Sequence, residues 1–156
     1  SGAGVGQPQN VSPNANPTDQ NMFELDPRLI ADTEDIGMLT LCRVLLMRDA
    51  RYPWLILVPT KPGLVEIPNL NRDDRTMLAD EIAAASVALT GLYAPEKINT
   101  GALGNIVRQL HIHIVARNTG DPAWPGPVWG HSAAQDYEPK ALQRRITEVQ
   151  KLLIPV

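Results

Sequence analysis

Apolar residues recur at spacings of four and three along DDRTMLADEIAAASVALTGLY, residues 73–93, where Leu78, Ile82, Ala85, Leu89 and Leu92 form one stripe. That is the period of an amphipathic helix, so a long helix is expected here with its stripe laid on a sheet. Asn71 is placed to cap it, and Asp73 and Asp74 fall in the first turn, where carboxylates favour the positive end of the helix dipole. A second helix is expected over 139–153, with Leu142, Ile146, Val149 and Leu153 on one face and Pro139 suited to the first turn.

Elsewhere the apolar runs are short and rich in β-formers. MLTLCRVLLM, residues 38–47, and WLILVPT, residues 54–60, read as strands, and the short polar RDARYP between them predicts a hairpin. Pro62 and Gly63 break the chain before LVEIPNL. NIVRQLHIHIVAR, residues 105–117, reads as a further strand, preceded by the glycine-containing KINTGALG. Upstream, FELDPRLIADTEDIG mixes apolar residues with Asp and Pro, which predicts a helical turn around Pro27 to Ala31 and then a loop.

A chain of 156 residues with 44% hydrophobic content is sized for one core, and with neither repeat nor linker a single domain is expected over residues 21–156. Residues 1–20, rich in Gly, Pro, Asn and Gln, cannot support a core and are expected to be a disordered tail or a cloning remnant. The net charge of −3 argues against the broad basic footprint of a protein bound to long nucleic acid, yet leaves room for a small anion held by a local cluster of donors. No apolar run approaches the ~20 residues that span a bilayer, so no membrane partner is expected and a cytoplasmic location follows by default. The single cysteine, Cys42, has no partner for an internal disulfide and reads as a buried, reduced thiol.

The chemistry concentrates in QLHIHIVAR, residues 109–117. On a strand, Gln109, His111 and His113 share one face, with Arg117 on the same parity, while Leu110, Ile112 and Ile114 share the other. Three readings fit two imidazoles on one polar face. They can be histidines satisfied on a solvated surface. They can be metal ligands, which then need a third or fourth ligand that the neighbouring sequence does not offer. Or they can serve phosphate chemistry, one ring as nucleophile and its neighbours as donors to phosphoryl oxygens.

QLHIHIVAR resembles the motif of the histidine triad (HIT) family, in which three histidines alternate with apolar residues along one strand. The resemblance extends to LCRVLLMRDARYPWLILVPTK, the helix after LNRDDR, INTGALGN before the motif and DPAWPGPVWG after it, roughly Phe23 to Gly130. It is closest to a bacterial subgroup with a Gln-x-His-x-His variant. The resemblance implies an α/β fold of the α+β kind, with a mostly antiparallel sheet of about five strands, one long helix and a C-terminal helix, paired as a homodimer. It also implies hydrolysis or transfer at the α-phosphate of a small nucleotide, such as a nucleoside phosphoramidate or a dinucleoside polyphosphate. The alternative is a nucleotide-binding or signalling module of the same fold with little turnover.

Carried over by position, the nucleophile falls on His111, the last triad histidine on His113, and Gln109 replaces the first. Glutamine can donate an amide hydrogen bond but cannot act as an acid. A further family histidine on the preceding strand would fall near Trp54. Asn99 matches a position that orients this region, and Gly104 and Asn105 match positions near the phosphate. No metal and no resident cofactor are implied; a divalent ion would accompany only a polyphosphate substrate. Nucleoside contacts would fall near Phe23, Leu25 and Leu41 to Val44. The DPAWPGPVWGHS segment either seals a pocket or clasps a second subunit, and His131 reads as a surface residue.

Overall fold

The computed structural model describes residues 22–155; the tail expected over 1–20 lies outside them. Helix α1 (Pro27–Asp32) starts where the Asp26 carboxylate accepts from the Arg28 backbone N–H at 2.8 Å. The loop expected after it is instead an edge strand, β1 (Thr33–Met38). A bulge between Asp35 and Gly37 breaks its register, so the buried residues are Thr33 and Ile36, three apart, and the two-residue alternation that marks a strand is lost.

The apolar run 38–47 is divided. Met38 ends β1, a turn follows, and β2 (Cys42–Met47) runs back antiparallel to it. The turn is held from the far side of the core: the buried Glu81 carboxylate accepts from the backbone N–H groups of Leu41 at 3.0 Å and Cys42 at 2.8 Å. Strand β3 (Trp54–Pro59) completes the expected hairpin. Helix α2 (Arg72–Tyr93) follows, with Asn71 Oδ1 accepting from the Asp74 N–H at 2.8 Å, as its sequence predicts. Then come β4 (Lys97–Gly101), β5 (Ile112–Arg117) and α3 (Pro139–Leu153).

The five strands form one sheet, ordered β1-β2-β3-β5-β4, with every neighbouring pair antiparallel. On one face Val44, Leu46, Leu55, Leu57, Ile112 and Ile114 pack against the stripes of α2 and α3. Cys42 lies in that core as a free thiol, and burial, aided by Glu81, pushes its pKa well above the ordinary value. On the other face Leu45, Trp54, Ile56 and Val115 pack against Leu29 and against Ala123 and Val128 from the segment after β5. α3 also closes the β1 edge, where the Gln150 amide donates to the bulge carbonyl of Ile36 at 3.0 Å. No helix among the described residues is long and apolar enough to cross a membrane.

Candidate functional site

Strand β5 is shorter than its sequence pattern. Its pairing with β3 ends at Leu57 opposite Ile112, and its pairing with β4 ends at Gly101 opposite His113. Gln109 and His111 therefore lie beyond the ladder, although the alternation persists and Leu110 stays in the helix-side core. The Gln109 carbonyl, free of a ladder partner, receives the His111 ring instead: Nδ1 stands 2.7 Å from it. A carbonyl can only accept, so Nδ1 carries the hydrogen, and in the neutral ring the lone pair is on Nε2.

His113 has the opposite arrangement. Trp54 and Ile56 lie on the same sheet face, with Ile56 directly opposite His113 and Trp54 one diagonal step away. The indole Nε1–H of Trp54 donates to His113 Nδ1 at 3.0 Å. An indole nitrogen can only donate, so the neutral imidazole of His113 carries its hydrogen on Nε2. Burial of the ring, and to a lesser degree the neighbouring His111, lower its pKa to about 4, so it is neutral at physiological pH. The two rings meet edge to face, 4.9 Å between centroids. The site thus offers one imidazole lone pair and one imidazole N–H side by side.

The other residues singled out from sequence are placed differently from one another. The Gln109 carboxamide is engaged with the N-terminal segment: Oε1 accepts from the Asp26 N–H at 2.9 Å and Nε2 donates to the Glu24 carbonyl at 2.8 Å. Asn99 sits on the histidine face opposite Val115, and its Oδ1 accepts from Arg117 at 2.8 Å. Arg117, on the histidine face by parity, is fully buried. Its remaining donors go to the Asp121 carboxylate at 2.7 and 2.9 Å and to the Gly126 carbonyl at 2.8 Å, which removes it from ligand binding. Gly104, at φ +72°, lines a cavity with His111, and Asn105 is exposed beside it. His131 is exposed, its Nδ1 2.9 Å from Ser132 Oγ.

Two cavities meet at Leu103. One, of about 240 Å³, is lined by His111, Gln109, Gly104, Leu110, Ile67 and Pro68. The other, of about 360 Å³, is lined by His113, Trp54, Trp129, Met47, Asp49 and Arg51. The Trp/Pro-rich segment packs on the histidine face of its own chain, with Trp129 edge-on to His113 at 5.5 Å. Glycine at 101 leaves room for this, since a Cβ there would stand 3.2 Å from the Trp129 ring and push it away by a few tenths of an ångström. Burial raises the Asp49 carboxyl, but the two 2.9 Å hydrogen bonds from the Arg51 guanidinium, its charge, and the backbone N–H groups of Arg51 and Gln135 together hold it below its ordinary range. The contacts of Trp54 and Trp129 with His113 escape the sequence reading because each joins residues distant in the chain.

Phe23 and Leu25 line a separate cavity of about 350 Å³ with Leu45 and Arg43. Leu41, Cys42 and Val44 do not join them, because their side chains point into the helix-side core. Among the described residues no group of three or more His, Cys, Asp or Glu side chains is gathered as a metal site.

The HIT domain family pattern matches residues 30–120. The structure is similar to a histidine triad protein from Bradyrhizobium japonicum (TM-score 0.83, 44% identity, covering 85% of this chain and 98% of that one). It is similar also to those of Sinorhizobium meliloti (0.82, 45%, 84% and 97%) and Marinobacter aquaeolei (0.82, 44%, 85% and 96%). No curated protein matches the chain.

Proposed function

The chain belongs to the histidine triad family, and from that premise we propose that it is a nucleotide hydrolase or nucleotidyl transferase that attacks the α-phosphate of a small nucleotide through His111. The observation that carries this reading is the pair of opposed tautomers, a lone pair on His111 Nε2 beside an N–H on His113 Nε2. In the first step the His111 lone pair forms a bond to phosphorus and the bond to the leaving group breaks. The leaving group departs with that electron pair and takes a proton from water. In the second step water forms a bond to phosphorus and gives a proton to solvent, the P–N bond breaks, and Nε2 recovers its lone pair. His113 donates to a phosphoryl oxygen as charge develops.

Gln109 holds Glu24 and Asp26 beside the site and has one further amide hydrogen to offer the phosphate, but no proton to transfer. Gly104 lines the His111 cavity with Asn105 exposed next to it in the chain, and Asn99 steadies Arg117 through its side-chain oxygen. This arrangement fits a bacterial subgroup with glutamine at the first triad position. The substrate is a nucleoside phosphoramidate or a dinucleoside polyphosphate, a divalent ion accompanying only the latter. Among the described residues β4 is an outer strand of the sheet, and Leu103 and Ile106 are exposed beside it, which fits a homodimer.

The second reading, a nucleotide-binding module with little turnover, draws on glutamine's inability to protonate a leaving group. Steady-state hydrolysis of adenosine phosphoramidate and of a diadenosine polyphosphate separates the two. The proposal expects turnover of at least one, falling by about 10³-fold or more in His111→Ala. Tight binding of both without turnover would favour the module.

A further inference from the structure

We propose that Trp54 is a positioning residue for the reaction: its indole N–H, able only to donate, locks His113 in the Nε2–H form and so fixes it as the donor of the histidine pair. The proposal rests on the reading of the histidines as a phosphate site, but its geometry stands apart from it. Trp54 and His113 are both buried, their rings are 5.7 Å apart between centroids, and the bond between them is 3.0 Å. Tyr52 packs edge-on to Trp54 at 6.2 Å and backs the indole from the far side. The indole therefore has little room to turn, and the bond direction is set by packing.

The lock has a chemical consequence. Protonating His113 would put a hydrogen on Nδ1, facing the indole N–H at hydrogen-bond distance, so the charged form must break the bond that positions the ring. A histidine at position 54 could have offered either a lone pair or a hydrogen, and the tautomer of His113 would then be free to change. With Trp54 in place, His113 is a permanent hydrogen-bond donor and supplies no proton, consistent with a site whose first triad position also holds a group that cannot ionise. The groups facing His113 are few. His111 lies beside it in the chain, Trp129 and Ser132 approach from the segment after β5, and Gly101 opposite it on β4 has no side chain. Asp49 and Arg51 line its cavity but neutralise each other.

Nitrogen-15 NMR of histidine-labelled protein tests the lock without substrate, so its outcome is independent of whether the protein turns over a nucleotide. In the native protein His113 is expected to carry its hydrogen on Nε2 and to stay neutral until the pH approaches about 4. In Trp54→Phe, which keeps an aromatic ring and removes the donor, His113 should populate both tautomers, while its burial keeps the ring neutral near physiological pH. With the substrate that turns over, kcat should fall about tenfold with little change in KM, the worth of one oriented hydrogen bond. Through-bond nitrogen–nitrogen coupling between Trp54 and His113 in the unaltered protein provides a second measurement that does not depend on the variant folding. A native His113 protonated on Nδ1, absence of that coupling, or a Trp54→Phe protein in which the His113 nitrogen shifts do not change would each overturn the proposal.

Discussion

Arg117→Met removes the charged centre that fastens the segment after β5 to the sheet while keeping most of the side chain's volume. The guanidinium makes four hydrogen bonds, two to Asp121, one to Asn99 and one to Gly126. The pair is desolvated, with side-chain exposures of 1% for Arg117 and 11% for Asp121. Removing one partner of such a pair leaves a charge buried without compensation, which costs about 3–5 kcal/mol. For a chain of this length that lowers Tm on the order of 10 °C. Chemical denaturation of the wild type, Arg117→Met, Asp121→Asn and the double variant measures it, and the double variant should recover at least about 1 kcal/mol relative to additivity. The bonds from Arg117 hold the Asp121 carboxyl below its ordinary range. Its contribution is therefore present above the ordinary carboxylate value and lost as pH falls through the folded one, so the penalty of Arg117→Met should shrink in acid. A loss under about 1 kcal/mol near neutral pH, or strict additivity in the double variant, would refute the reasoning.

Two other substitutions probe the elements around the site. Asn71→Ala deletes the side-chain cap of α2 and should destabilise the fold by about 1 kcal/mol in denaturant, while Asn71→Asp, which keeps the acceptor, should not. Gln109→Ala removes both bonds to the N-terminal segment; hydrogen exchange at the Asp26 amide should speed up by about tenfold, with α2 unchanged, because the loss is local.

The legible parts of the fold were those whose pattern is set by one partner surface. α2 and α3 each present a stripe to the sheet, and the β2–β3 hairpin joins two apolar runs through a short polar turn. β1 was hidden because a bulge offsets its alternation and its edge position leaves Glu34 half-buried and Asp35 exposed. β4 was hidden because KINTG is short and partly exposed, and its strand character comes from pairing with β5. In the site, the shared face of His111 and His113 follows from their spacing, but the length of β5 depends on where β3 and β4 stop. The same limit applies to chemistry. That Gln109 would bind Glu24 and Asp26, that Trp54 would bond His113, and that Arg117 would turn inward to Asp121 are facts of tertiary contact, invisible to spacing.

The most direct test of the central claim is intact-mass analysis of protein quenched rapidly during reaction with adenosine phosphoramidate or a diadenosine polyphosphate. Attack by His111 predicts a single adenylyl adduct on the native chain, formed and lost on the timescale of turnover and absent from His111→Ala. Turnover with no adduct, or an adduct that persists in His111→Ala, would contradict it.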